Sequence, residues 1–327
     1  MPRLEEKVAF LSRPENYPEG TRRVETKETH MSWIFLTDTL AWKLKKPSRF
    51  NHLDLRSTEA RRQNCDEEVR LNRRLAPDVY RGVVPVTVRS GNILQLDKPG
   101  TIDDWLVCMR RLPADRMLDH AIANRTWSNE DARRVGVLLG HFYSDAAPLP
   151  VTTEEYVNRL KDELRWSREE LTKREQVLSG ELIESATTAS LTFIERHLDL
   201  VGGRAQARKI VEGHGDLRPE HICLEDRPVI IDCLEFNRNL RIVDPASELM
   251  FLKLECERLG DPAAGELIFG MYCERTGDDP PDELLAFYRT YHAAVRAKVA
   301  IWHLQDHSIH HVEKWIARAE QYLEMAA

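Results

Sequence analysis

The stretch His214-Gly215-Asp216-Leu217-Arg218-Pro219-Glu220-His221, with Asp232 sixteen residues after Asp216, constrains the fold more than any other part of this 327-residue chain. It interrupts a region whose pattern is otherwise helical. HICL and VIID flank Glu225-Asp226-Arg227-Pro228, and that turn chemistry pairs them as a hairpin. Gly215 permits a tight loop on which Asp216 can accept a hydroxyl proton. Asp232 closes the second strand of the hairpin and can hold a divalent cation. The hairpin brings its two ends together, so both carboxylates can face one cleft.

The first third of the chain is β-rich. In residues 31–46, Trp33 to Leu36 and Leu40 to Lys45 read as a hairpin around Thr37-Asp38-Thr39. Lys43 and Lys45 share one face of the return strand, because strand side chains alternate. Residues 57–75 read as a charged helix capped by Ser57, with Glu59 in its first turn and Pro77 marking its end. Two more strands flank Ser90-Gly91, and a further strand spans Trp105 to Leu112. From about residue 128 helical patterning dominates, broken only by the small hairpin. Asp244-Pro245 is the N-cap and first-position signature of a helix that runs to about Leu259, with Gly260 beyond it.

The loop and the spaced I-I-D resemble the catalytic loop and metal-binding aspartate of the protein-kinase-like superfamily, most closely its aminoglycoside-phosphotransferase-like branch. The resemblance extends to Ala41-Trp42-Lys43, to Val243-Asp244-Pro245-Ala246-Ser247-Glu248-Leu249 and to Val295-Arg296-Ala297-Lys298-Val299, as in an uncharacterised bacterial subgroup of that branch. It implies an α+β, protein-kinase-like bilobal fold: a small β-rich N-lobe over residues 1–112 and a larger, mostly helical C-lobe over 113–327. It implies a kinase that transfers the γ-phosphate of ATP to a hydroxyl of a small-molecule acceptor. Asp216 would orient and deprotonate that hydroxyl, and Arg218 would stabilise the transferring phosphoryl group. Lys43 would bind the α- and β-phosphates, held by Glu68 or, nearly as well placed, Glu67. Met109, Arg110 and Arg111 would form the hinge that meets adenine. Asp232 would hold Mg²⁺, and Glu248 would brace the catalytic loop. The alternatives are a nucleotide-binding pseudokinase acting as a regulatory or scaffold module, and a kinase acting on a protein side chain.

Two positions depart from the family pattern. No G-x-G-x-x-G precedes the first hairpin, and Pro18-Glu19-Gly20-Thr21-Arg22-Arg23 is the nearest substitute. His221 stands where the family has a metal-binding Asn. Imidazole suits Mn²⁺ better than Mg²⁺, so His221 either joins a softer metal site or only hydrogen-bonds the loop, with Glu235 or Asn237 as replacements. Some subgroup members carry a further P-loop kinase domain. G-x-x-x-x-G-K-[ST] does not occur here, so only the phosphotransferase-like part is expected.

Other candidates read as structural. His303, His307 and His311 recur at helical spacing beside His310, without a carboxylate or cysteine to complete a metal site, so a polar helix face is expected. Arg296 and Lys298 read as solvated helix charges or as contacts to an anionic acceptor. The run Arg168-Glu169-Glu170 reads as a solvated face. Lys and Arg total 47 against 54 Asp and Glu, a net charge of −7, which argues against nucleic-acid binding. Residues 41–75 reverse that sign, with ten Lys/Arg and five Asp/Glu, as a triphosphate site needs. No apolar run spans a membrane, the start is no secretory signal, and six scattered cysteines read as buried reduced thiols, so a cytoplasmic location is expected.

Overall fold

The alternation in Ala41-Trp42-Lys43-Leu44-Lys45 sends Trp42 and Leu44 to one side of a strand and Ala41, Lys43 and Lys45 to the other. That division organises the N-terminal part of the molecule. The computed structural model describes residues 2–18, 20–50, 53–305 and 312–326. It divides into two units, one made of residues 1–117 with 221–240, the other of 118–220 with 241–327.

The first unit begins with α1 (Leu4–Leu11) and continues through β1 (Glu25–Glu28), β2 (Ser32–Leu36), β3 (Leu40–Lys45), the short pair β4 (Arg49–Phe50) and β5 (Leu53–Asp54), α2 (Thr58–Asn72), β6 (Tyr80–Arg89), β7 (Ile93–Leu96) and β8 (Thr101–Arg110). Six strands form one antiparallel sheet in the order β1-β2-β3-β8-β6-β7. The β2–β3 turn is closed by Thr37, whose hydroxyl donates to the Leu40 carbonyl at 2.9 Å and accepts from the Leu40 amide at 3.1 Å. Trp42 and Leu44 pack with Leu11, Tyr17, Phe35 and Leu106. Ala41, on the opposite face, packs with Cys65 and Val69 of α2. That places α2 opposite Lys43 and Lys45. The Ser57 hydroxyl caps α2 by accepting from the Ala60 amide at 3.1 Å. The helix stops at Asn72, three residues before the expected end, because turn bonds from Arg74 and Leu75 replace the helical ladder. β8 begins four residues earlier than expected and ends at Arg110. α1 and the polar β1 carried no pattern that announced them.

The second unit is helical: α3 (Leu118–Asn124), α4 (Asn129–Asp145), α5 (Thr153–Thr172), α6 (Gly180–Arg196), α7 (Leu198–Gln206), α8 (Pro245–Arg258), α9 (Pro262–Thr276), α10 (Asp282–Trp302) and α11 (Val312–Ala326). Hydroxyls of Ser128, Thr152 and Ser179 cap α4, α5 and α6. Tyr156, Leu160 and Leu164 repeat every four residues on α5 and meet Phe287, Tyr288 and Ala294 of α10 and Tyr322 of α11 in one core. Asp244 caps α8 as its Asp-Pro start implies, and Gly260 takes a φ of +90° just past the helix end.

Among the described residues no helix is long and apolar enough to cross a membrane. All six cysteines are free; five are buried and Cys273 is half-buried. His307, His310 and His311 lie outside the described residues, while His303 follows α10 in a 3₁₀ turn and stacks on Trp315 at 3.9 Å.

The α8–α10 contact contains a titratable group. His292 Nε2 lies 2.9 Å from the Ser247 hydroxyl, and its ring stacks on Phe251 at 5.2 Å. Burial pushes this imidazole down to about 3. The unfolded chain takes up the proton near pH 6.5, whereas the folded chain refuses it until about pH 3. Stability from this group is therefore lost as the pH falls through that window, by about 2 kcal/mol at pH 5. Urea unfolding at pH 7 and pH 5 should show this loss in the wild type and not in His292→Asn.

Candidate active site

In the first unit, a buried charge cluster grows from the shared face of β3. Lys43 Nζ lies 2.9 Å from Glu68 Oε1 and 2.9 Å from Asp232 Oδ1. Lys45 Nζ binds the second oxygen of Glu68 and also Glu235 Oε1. Glu68 is fully buried, on the α2 face that Val69 and Cys65 press against the sheet. Of the two glutamates left open by helical spacing, Glu68 meets Lys43; Glu67 turns out to Arg70 at 2.7 Å. Burial opposes the charge on Lys43, but Asp232 and Glu68 outweigh it and hold the ammonium well above its ordinary range. Lys43, with help from His221 and Lys45 against burial, holds the Asp232 carboxyl far below the usual carboxylate range.

The chain around Asp232 is pinned by its backbone. Ile222–Cys223 and Val229–Ile230 form the small antiparallel hairpin, two residues a side where the apolar runs suggested four. It is shorter because Asp232 turns out of extended geometry, with a φ of +62°, a left-handed conformation that Asp tolerates better than most residues. The Ile231 amide donates to the His221 carbonyl at 2.9 Å, the Asp232 amide to the Tyr80 hydroxyl at 3.2 Å, and the Cys233 amide to Asn72 Oδ1 at 2.8 Å. His221 Nε2 lies 3.6 Å from Asp232 Oδ2. Among the described residues no group of three His, Cys, Asp or Glu side chains converges to hold a metal ion.

Met109, Arg110 and Arg111 close β8. The Arg110 and Arg111 amides donate to the carbonyls of Val79 and Thr39 at 2.8 and 2.9 Å. The Arg110 guanidinium forms two bonds of 2.7 Å to Glu225, and that of Arg111 donates to the Thr37 carbonyl at 2.7 Å. These side chains therefore tie the end of β8 to the β2–β3 turn and to the small hairpin.

In the second unit, Gly215 has a φ of +89°, the left-handed turn the tight loop requires. Glu248 of α8 anchors that loop. Its carboxylate accepts from the amides of His214 (2.9 Å) and Gly215, and from the Tyr143 hydroxyl at 2.6 Å. Asp216 is about a quarter exposed, and Arg218 Nε donates to its Oδ2 at 3.1 Å. Arg296 also reaches this aspartate. It lies 4.0 Å from Asp216 Oδ1 and 3.5 Å from Glu255 Oε1, with its guanidinium over the rings of Phe251 and Tyr322. Lys298 is no solvated charge: it is buried against Trp166 and Trp302, 3.9 and 4.6 Å from their ring centres, and paired with Glu163. Nor is Glu170 solvated, since it accepts from Trp302 Nε1 at 3.1 Å and is only 15% exposed.

Sequence reasoning missed Tyr80 and Asn72, which hold the Asp232 backbone, and gave no role to Lys45. The period-two pattern that put Lys45 beside Lys43 was the available signal for the last. Nothing in sequence spacing pointed to the other two.

The whole chain superposes on the GDP complex of an aminoglycoside 2′-phosphotransferase-IIIa, with a TM-score of 0.60 at 16% identity over 99% of this chain and 98% of that one. The fold is aminoglycoside-phosphotransferase-like and protein-kinase-like. A choline/ethanolamine kinase family protein from Mesorhizobium loti has the same phosphotransferase-like fold, with a TM-score of 0.55 at 15% identity and 98% coverage of both chains. An uncharacterised protein of Mycobacterium tuberculosis is 30% identical over 279 residues, which is 84% of this chain and 54% of that protein. The chain thus spans about half the length of the curated relatives it matches. No protein-family model matches it.

Proposed function

We propose that this chain is a phosphotransferase that transfers the γ-phosphoryl group of ATP, with Mg²⁺ or Mn²⁺, to a hydroxyl of a small-molecule acceptor. The observation that carries the reading is the Lys43 bridge between Glu68 and Asp232 at 2.9 Å to each. A lysine so placed keeps its glutamate partner while exchanging the aspartate for nucleotide phosphates. The exchange releases Asp232, whose side chain is 48% exposed and held as the anion, to a metal. One hard carboxylate and the neighbouring His221 imidazole fit an ion that takes its other ligands from phosphate and water. When bound, that ion neutralises charge on the β- and γ-phosphates.

Asp216 accepts the acceptor's hydroxyl proton, and Arg218 brings a cation to the transferring group. Met109, Arg110 and Arg111 lie at the end of β8, the segment assigned to the base, where the Arg110 and Arg111 amides and both guanidiniums are already paired.

The test is nucleotide binding by thermal shift with Mg²⁺, Mn²⁺ or neither, using ATP and GTP. ADP or GDP release should then be screened over hydroxylated metabolites. Metal-dependent stabilisation and acceptor-dependent release are expected. Binding without turnover for any acceptor would favour a nucleotide-binding module, and no binding under any metal condition would rule the reading out.

A further inference from the structure

Two buried side chains that the proposed chemistry does not use hold Asp232 in its left-handed turn. The amides of four successive residues in this segment are tied down within the first unit. Ile230 donates to the Leu75 carbonyl at 3.4 Å and Ile231 to the His221 carbonyl at 2.9 Å. Asp232 donates to the Tyr80 hydroxyl at 3.2 Å and Cys233 to Asn72 Oδ1 at 2.8 Å. The last two acceptors are side chains, one at the start of β6 and one at the end of α2. Both residues are buried, and Tyr80 packs with Val69, Val107 and Val229. Asn72 makes a second bond, from Nδ2 to the Glu68 carbonyl at 2.8 Å. One carboxamide thus ties the turn of α2 that carries Glu68 to the turn that carries Asp232. We propose that Tyr80 and Asn72 are positioning residues of the metal site, which fix the Asp232 backbone so that its carboxylate stays aimed at the ion when Lys43 turns to a nucleotide phosphate. This rests on the reading of Asp232 as a ligand of that ion.

A residue other than glycine at a φ of +62° persists only where its surroundings impose that conformation. Asp232 is held at both ends: Lys43 takes Oδ1 at 2.9 Å, and Tyr80 and Asn72 take the main chain. In the proposed exchange the Lys43 tie passes to phosphate, and the two main-chain ties remain. A carboxylate already ordered by its neighbours binds an ion more tightly than one that must be ordered on binding. Asn72 also sets register. Lys43 lies 2.9 Å from both Glu68 and Asp232, so these carboxylates must stand a fixed distance apart, and the Asn72 carboxamide links their main chains.

The test is calorimetric titration of the full chain with ADP, in excess Mn²⁺ and in EDTA, for the wild type, Tyr80→Phe and Asn72→Leu. Partners that orient a metal ligand are worth about 10–100-fold in metal affinity. Each substitution should therefore weaken ADP at least about fivefold in Mn²⁺ and change it less than about twofold in EDTA. A role in packing alone would lower the melting temperature, or weaken ADP equally in both solutions, and would leave the ratio of the two affinities where it is in the wild type. A ratio that falls less than about fivefold in either folded variant overturns the proposal. Where Asn72→Leu does not fold, Tyr80→Phe, which removes a single oxygen, decides alone. A wild type that binds ADP equally with and without Mn²⁺ overturns the assignment of the ion to Asp232, and one that binds no ADP in either solution overturns the phosphotransferase reading itself, so these failures are distinct.

Discussion

Asp216→Asn should lower phosphoryl transfer by about a thousandfold while leaving nucleotide affinity within about twofold of the wild type, because a positioned base contributes about 10²–10⁴ in rate. Asn keeps the size of the side chain and an oxygen for the Arg218 guanidinium, now 3.1 Å from Oδ2, but it cannot accept a proton at neutral pH. The loop should survive the change. Its geometry is set by Gly215, whose φ is +89°, and by Glu248 holding the His214 and Gly215 amides. Lys43, Glu68 and Asp232 make their bonds to one another without Asp216. Initial rates and Mg·ADP titration of the same preparation separate the two effects. Activity that survives the substitution would remove Asp216 from the mechanism.

Legibility in the sequence followed the range of each interaction. The β2–β3 hairpin, the Ser57 cap and the Asp244-Pro245 start of α8 depend on neighbours a few residues away, and their residues announce them. Periodicity narrowed the partner of Lys43 to Glu68 or Glu67 without deciding between them, and the packing of Cys65 and Val69 against the sheet made the choice. Arg296 was different: it reaches Asp216 across eighty residues of chain, and no spacing rule distinguishes it from a solvated helix arginine. Lys298 was misjudged for a related reason. A lysine flanked by alanine and valine on a helix reads as exposed, but Trp166 and Trp302 cover it and Glu163 neutralises it. Asp232 was found by motif, yet its left-handed turn was not, since that depends on Tyr80 holding its own amide and Asn72 holding that of Cys233.

The same long-range logic gives the largest expected loss of stability. Arg204 of α7 binds both oxygens of Asp244 at 2.6 and 2.8 Å and both oxygens of Asp278 at 2.8 and 2.6 Å. The two carboxylates are 0% and 4% exposed. Tyr288 and Tyr272 donate to them at 2.8 and 2.7 Å, and Lys209 lies 3.2 Å from Asp278, so Asp244 depends on Arg204 for its cation more than Asp278 does. Arg204→Met should therefore cost about 3–5 kcal/mol, the loss expected when one partner of a buried ion pair is removed. Burial pushes the Asp278 carboxyl up, but the Arg204 bonds overcome that and hold it well below its ordinary value of 3.8. A depressed carboxylate stabilises the fold above its unfolded pKa and loses that contribution as the pH falls below it. The deficit of Arg204→Met should consequently be full at pH 7 and shrink below about pH 4. Denaturant unfolding of both proteins at pH 7 and pH 3.5 measures it, and a deficit independent of pH would mean that lost packing, not lost charge, is responsible. The effect bears on the proposed chemistry because Asp244 caps α8 through the Ala246 amide and lies four residues before Glu248, which holds the Asp216 loop. A fraying cap at that point loosens Glu248, so Arg204→Met assayed below its melting temperature should also lose turnover without losing affinity for Mg·ADP.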